Sequence, residues 1–363
     1  MRVFGICAYP VEAAATRFRL AQFVEPLRAR GIEIDVRPFL DSARFSKLYS
    51  NRRIRTSISL LPPLIDRVAD MYRARKYDVL FVQREAMNFG PAVFEWLFQR
   101  LHHVPMILDL DDATYVSYVS PTFGRLGSAL KFFGKTDNLI RRSSVVVCGN
   151  RLIAEYVGSK NVPTVVIPTL VDTDLFRPGE KNNAVPVIGW IGTHSTFPFL
   201  EMLFPVLSKL GEKYRFVLKI VGSGQQNISI PNVKVETVRW HRDREVRDFQ
   251  SLDIGLYPIF PSPSASDAWL HGKSGFKAIE YMAAGVPFVM SPVGICAEIG
   301  ETGVTHLLAN GPDDWYEPLV RLIEDTEFRM KMGRNARNYS LDNYPLESAV
   351  ETLEALFRQV AKT

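Results

Sequence analysis

Apolar strand-like runs alternate with helix-like segments along almost the whole chain, and that alternation admits little besides parallel sheets covered by helices. Strands are expected over residues 2–9, 33–37, 78–82, 105–110, 145–148 and 165–167, with helices over 17–29, 63–75 and 91–101. In 17–29 the residues Leu20, Phe23, Val24 and Leu27 share a face, and Gly31 is the stop. The pattern lapses between Pro168 and Pro186, a linker rich in Pro, Asn and charge. A second series follows: strands over 187–191, 216–221, 233–238, 254–257 and 287–290, and helices over 198–212, 244–251, 313–325, 327–339 and 346–361. The expectation is an α/β protein of two Rossmann-like doubly wound domains, residues 1–178 and 183–344. A length of 363 residues agrees with two cores rather than one.

The net charge of +5 is unevenly held. Residues 1–180 carry 25 Lys+Arg against 18 Asp+Glu, or +7; the remainder carries 19 against 21, or −2. An anionic partner is therefore expected on the first half, a phospholipid surface or a phosphorylated acceptor, and nucleic acid is not, because no nucleic-acid motif accompanies the charge. The basic cluster 44–55 (RFSKLYSNRRIR) and the stretch 115–135 point to a membrane interface, the latter with Phe123, Leu126, Leu130 and Phe133 at helical spacing beside Arg125, Lys131 and Lys135. Core-facing helices with solvated faces are the plain alternative. No apolar run is long enough to cross a bilayer. Cys7, Cys148 and Cys296 have neither disulfide nor metal spacing, so a cytoplasmic setting is expected, at most at the inner face of the cell membrane.

The most informative stretch is Gly272–Val289, GKSGFKAIEYMAAGVPFV. Its glycines let the backbone at a helix start approach a ligand, and a helix N-terminus beside Lys273 and Lys277 suits a phosphate. Lys277 and Glu280 are three apart on one face, where the carboxylate can accept from hydroxyls such as those of a ribose. The stretch resembles the donor signature of family-four retaining glycosyltransferases of the GT-B fold (glycosyl transferases group 1). The resemblance implies two domains facing a cleft, with 345–363 crossing back onto the first. It assigns the acceptor to the first domain and the nucleotide sugar to the second. It also implies that Glu280 holds the ribose and that Lys273, Ser274, Gly275, Phe276 and Lys277 surround the diphosphate. In the family's usual pattern of two Glu with seven residues between them, the partner of Glu280 falls on Gly272 here, flanked by His271 and Lys273.

Other loops fit around this frame. Tyr9–Arg19 follows the first strand and offers Thr16, Arg17 and Arg19 where relatives place glycines; the alternative is a pair of solvated arginines. Asn150, after the strand 145–148, is expected with Arg17 and Arg19 on the acceptor or phosphate side. GWIGTHST brings Gly192, His194, Ser195 and Thr196 to a helix start, with a hydroxyl N-cap as the plain reading. VGSGQQN places Gly222 after a strand, and Arg239 and Trp240 end the next, where the resemblance puts the nucleotide base. Asp109-Leu-Asp111-Asp112 ends another strand. It resembles both the nucleophile loop of haloacid-dehalogenase-like phosphatases and the Asp-x-Asp of GT-A enzymes, and its carboxylates also suit helix capping.

The resulting expectation is a retaining, hexosyltransferase-type enzyme that transfers sugar from a UDP- or GDP-sugar to a sugar or lipid-linked acceptor in surface polysaccharide or glycolipid assembly, with no obligatory metal. Asp111, Asp112, Lys277 and the Gly272 position form its catalytic side. The rivals are a phosphatase using Asp109/Asp111 and a catalytically silent GT-B binding protein.

Overall fold

The computed structural model describes residues 1–48, 60–117, 124–181, 183–261 and 267–362. The chain divides into two units, one of Met1–Thr169, Ser264–Ser274 and Glu347–Thr363, the other of Leu170–Pro263 and Gly275–Leu346.

The first unit is built on six parallel strands: β1 Arg2–Cys7, β2 Glu33–Pro38, β3 Val79–Gln83, β4 Met106–Leu110, β5 Val145–Cys148 and β6 Thr164–Val166, in the order β2-β1-β3-β4-β5-β6. β3, β4 and β5 are buried along their whole length, as expected of central strands covered on both faces. Phe4, Leu80, Leu108 and Val146 pack with Phe98 and Ile140 from the flanking helices. The helix Leu346–Val360 belongs here through its described residues from Glu347 on: Phe357 meets Phe81 edge-on at 5.6 Å, and Arg30 pairs with Glu347 and Glu354.

The helix expected over 17–29 is three pieces, Ala14–Arg19, a 3-10 turn Ala21–Phe23 and Val24–Ala29. Pro26 has no N–H to give, so the chain restarts just ahead of it, within the first turn where proline is tolerated. The stretch 115–135 is likewise not one amphipathic helix. Gly124–Leu130 ends at a turn with Phe132 at φ 54°, and a separate helix Lys135–Arg142 follows. Phe123, together with 49–55 of the basic cluster, lies outside the described residues, and Ser42–Leu48 is helical.

The second unit has β7 Val187–Ile191, β8 Val217–Val221, β9 Lys234–Val238, β10 Ile254–Tyr257, β11 Phe288–Met290 and β12 Leu307–Leu308, all parallel, in the order β12-β11-β10-β7-β8-β9. Its strand order reverses between β7 and β10, as the first sheet's does between β1 and β3. In open α/β sheets ligands bind off the carboxyl ends of strands at such a point. Pro198 and Pro205 each sit in the first turn of a helix and divide the expected 198–212 into Phe197–Glu201 and Phe204–Lys213. Among the described residues no helix is long and apolar enough to cross a membrane.

Candidate functional site

In the second unit the loops at the carboxyl ends of β7, β8 and β9 come together because two glycines let them. A Cβ on Gly192 would lie 2.3 Å from the Trp190 ring, and one on Gly222 (φ 81°) 2.3 Å from the Gly192 carbonyl oxygen. Neither place admits a side chain. The Gly192–Thr196 loop is ordered from within: Thr193 Oγ1 and Ser195 Oγ are 2.7 Å apart, and the Thr196 hydroxyl donates to the Thr193 carbonyl at 3.2 Å. Neither Ser195 nor Thr196 caps the Phe197–Glu201 helix by a side-chain bond. His194 reaches the neighbouring turn, its Cβ 3.6 Å from where a Cβ of Gly224 would stand. At the end of β9, Trp240 donates from Nε1 to Glu245 at 3.1 Å, while Arg239 is exposed.

The helix Phe276–Ala283 connects β10 to β11 and is buried on every side except at Lys277. A helix buried nearly all round belongs in a core, and Phe276, Ile279 and Met282 put it there. Its N-cap is Gly275 in the left-handed conformation, φ 67°, where an added Cβ would fall 2.2 Å from Ile299 Cδ1. Glycine is required on both counts. Glu280 is fully buried and accepts from Lys277 Nζ at 2.6 Å, and Lys277 also lies 5.3 Å from the Phe249 ring centroid. Lys277, the second residue of a helix whose first N–H groups have no intrahelical acceptor, sets a cation and a carboxylate where an anion could be received.

In the first unit the aspartates at the carboxyl end of β4, Asp109 and Asp111, are spoken for. Arg19 and Asp109 form a buried pair, Arg19 Nε donating to both carboxylate oxygens at 3.1 Å and Nη1 to the Ile167 carbonyl at 2.5 Å. Burial pushes the Asp109 carboxyl up to about 6, with Arg19 opposing the rise. Arg19 is therefore not available to an anionic ligand, and Asp109 is not a nucleophile. Asp111 is held bidentately by Arg84, at 2.5 Å and 2.8 Å, with Gln83 donating at 3.3 Å. Burial disfavours its charge, but Arg84 outweighs burial and keeps the carboxyl below the ordinary range. The phosphatase reading needs these two carboxylates exposed, and both are consumed in ion pairs. For the same reason Asp111 is a brace rather than a group facing substrate. Among the described residues no cluster of His, Cys, Asp or Glu suits a metal ion.

Asp112 is the partly exposed member, its Oδ2 3.7 Å from Arg84 and 3.8 Å from Lys273. Lys273 lies 3.3 Å over the Trp269 ring, and burial lowers its pKa against the pull of Asp112. Gly272 has no room for the carboxylate that relatives carry: a Cβ there would be 2.1 Å from Ala113 Cβ, and the Gly272 carbonyl accepts from the Ala113 N–H at 3.3 Å. The loop carrying Asp112 thus packs against the Gly272 backbone. Arg17 is buried and donates to the Val11 and Glu12 carbonyls at 3.1 Å and 3.0 Å, so it fastens its own loop. Asn150 accepts from the Ile153 N–H at 2.9 Å as the N-cap of Arg151–Gly158. Arg84, Gln83 and Trp269 went unnoticed in the sequence. Arg84 sits 27 residues before Asp111 with no motif around it, and only its left-handed backbone, φ 62°, marks it in the structure.

Residues 185–325 match the family model of glycosyl transferases group 1. That stretch, less than half of the chain, is similar to group 1 glycosyltransferases. Among curated proteins it is 24% identical over 205 residues to an uncharacterized glycosyltransferase of Methanocaldococcus jannaschii, covering 54% of this chain and 55% of that one. It is 22% identical over 238 residues to the D-inositol 3-phosphate glycosyltransferase of Nocardiopsis dassonvillei, covering 56% and 53%. The chain spans about half the length of the curated relatives it matches. Among solved structures it is similar over 100% of its length, and 99% of the other chain, to Anabaena HepE in complex with UDP-glucose, with a TM-score of 0.69 and 16% identity. Sucrose-phosphate synthase from Thermosynechococcus elongatus gives 0.69 at 14% identity, covering 99% of both chains. The fold is GT-B, and the stretch matching the group 1 model lies on the unit that holds Lys277 and Glu280.

Proposed function

We propose that this protein is a family-four retaining glycosyltransferase whose second unit binds a nucleotide-diphosphate sugar and whose first unit binds the acceptor. The observation that carries the reading is the Gly275-capped helix with Lys277 and Glu280, placed inside a group 1 domain. Lys277 and the first N–H groups of that helix hold the diphosphate, and Glu280 holds the ribose. Gly192, Gly222 and the Gly192–Thr196 loop admit the nucleotide at the strand ends, with Arg239 and Trp240 toward the base. A uridine nucleotide is favoured by the UDP-glucose complex of Anabaena HepE.

In the transfer, the acceptor hydroxyl oxygen bonds to the anomeric carbon as the bond from that carbon to the diphosphate oxygen breaks. The hydroxyl proton passes to the departing diphosphate, so no side-chain base is required. Negative charge grows on the diphosphate, and a preorganised cation and helix start stabilise it there. On the acceptor side Asp112, held between Arg84 and Lys273, orients hydroxyls; it is the carboxylate carried by the loop packed against Gly272. The basic first half suits an acceptor presented at an anionic membrane surface, as in glycolipid or surface polysaccharide assembly. The silent-protein alternative rests on Gly272 alone.

A panel of UDP- and GDP-sugars scored by thermal shift, followed by nucleotide release with sugar and lipid-linked acceptors, tests the reading. Binding and turnover are expected with a UDP-sugar. Binding without turnover toward any acceptor favours the silent protein, and no nucleotide binding removes the reading.

A further inference from the structure

The helix Leu61–Arg73 of the first unit is built inside out. Arg67, 1% exposed, and Asp70 point into the domain, where Arg67 donates to the carbonyls of Cys7, Arg37 and Ala86 and pairs with Asp70 at 3.2 Å. Those carbonyls lie on β1, on β2 and in the loop after β3, so the guanidinium fastens three segments at once. Turning Arg67 inward turns the apolar face outward. Leu61, Ile65 and Tyr72 are 65%, 60% and 72% exposed, and Leu64 and Val68 are exposed with them. At 3.6 residues per turn these five fall on an arc of about 100° and run about 16 Å along the axis.

A second group of exposed apolar residues lies on the helix beside it. The neighbouring helix Val93–His102, whose His102 Nε2 lies 2.6 Å from the Met71 carbonyl, exposes Val93, Trp96 and Leu101. Exposed cations accompany both: Arg75 and Lys76 follow the first helix, whose Arg73 is paired with Asp70 on the far side, and Arg100 lies on the second. The exposed acid of the first helix, Asp66, falls on the side away from the stripe. Two copies joined through this face would set these cations against each other on halves that each carry +7 over residues 1–180. An anionic bilayer takes the apolar stripe and the cations together.

We infer that the Leu61–Arg73 face docks on an anionic phospholipid surface, with its apolar stripe in the headgroup boundary and the adjoining cations on the lipid phosphates. This rests on, and deepens, the reading of the first unit as the side that meets a membrane-borne acceptor.

The test is flotation of the full chain with phosphatidylglycerol/phosphatidylcholine vesicles and with phosphatidylcholine vesicles alone, at low and high salt. Wild type should float with the anionic vesicles only, and less at high salt. Ile65→Glu, at an exposed position that leaves the fold intact, should lower the bound fraction about tenfold, and Arg75→Glu/Lys76→Glu should do so by a similar factor. Equal binding to both vesicle types, or to neither, overturns the inference. So does a wild-type dimer in light scattering that Ile65→Glu disperses, since the occupant is then a second copy. The UDP thermal shift of the same preparations separates the two readings. Vesicle binding absent in a chain that still responds to UDP overturns docking and leaves the transferase reading standing.

Discussion

Two sets of buried carboxylates in this protein hold cations in opposite ways. Lys277 and Glu280 are three residues apart on one helix, and although Glu280 is fully buried, Lys277 keeps part of its side chain in solvent. Arg19 and Asp109 are 90 residues apart, both 1% exposed, and sealed among strands. Both are ion pairs, yet the first leaves its cation accessible to a ligand and the second does not. Charge in a sheet's carboxyl-end loops therefore does not by itself mark a binding group. What decides is whether the partner is completed inside the fold or left for something that arrives.

The sharpest way to break this comparison is to remove one member of the sealed pair. Asp109→Ala leaves the Arg19 guanidinium buried with its main counter-charge gone, and should cost about 3–5 kcal/mol, read as a lower unfolding midpoint in denaturant. The double variant Arg19→Met/Asp109→Leu removes both charges at similar volume and should recover most of that loss. If Asp109→Ala unfolds no more easily than wild type, the pair does not brace the fold, and Asp109 regains its claim to chemistry.

The accessible pair should show the reverse, a smaller effect on folding and a larger one on ligand. Glu280→Gln keeps the shape and removes the charge, so the expected loss is about tenfold or more in nucleotide affinity by calorimetry, with the unfolding midpoint moved far less than in Asp109→Ala. Lys277→Ala should weaken UDP about tenfold while leaving uridine, which has no phosphate, nearly unaffected. Equal losses for UDP and uridine in Lys277→Ala would move the diphosphate away from this helix.

The same contrast explains what the sequence made legible. Lys277 and Glu280 were visible because a helix converts a spacing of three into contact, and the strands were visible because central parallel strands are continuous apolar runs. The breaks at Pro26 and Pro205 were missed because an apolar face persists across a proline that restarts a helix. The roles of Arg19, Arg84 and Asp111 were not legible at all. Each depends on which strand ends the order β2-β1-β3-β4-β5-β6 makes neighbours, and local pattern does not encode that order. The outward apolar face of Leu61–Arg73 was hidden for a related reason. An amphipathic pattern predicts a helix but not which face is buried, and here Arg67 settles it by reaching three carbonyls.

The gentlest probe is pH, because Asp109 and Asp111 should respond with opposite signs although only Leu110 separates them. Burial raises the folded-state pKa of Asp109 from 3.8 to about 6. Between those values the folded chain holds more protons at Asp109 than the unfolded chain. Its contribution to stability is therefore present at low pH and lost as pH rises through about 6. Asp111, whose folded pKa Arg84 holds below 3.8 against its burial, contributes above that value and loses the contribution as pH falls through its folded pKa. Asp109→Asn should accordingly flatten the fall in stability between pH about 4 and 6, while Asp111→Asn should leave that window unchanged and alter the acid limb below it. Denaturant midpoints measured across pH for the two variants check this. A wild-type slope between those limits that survives Asp109→Asn would mean that another group titrates there and that the Arg19 pair keeps Asp109 ionised throughout.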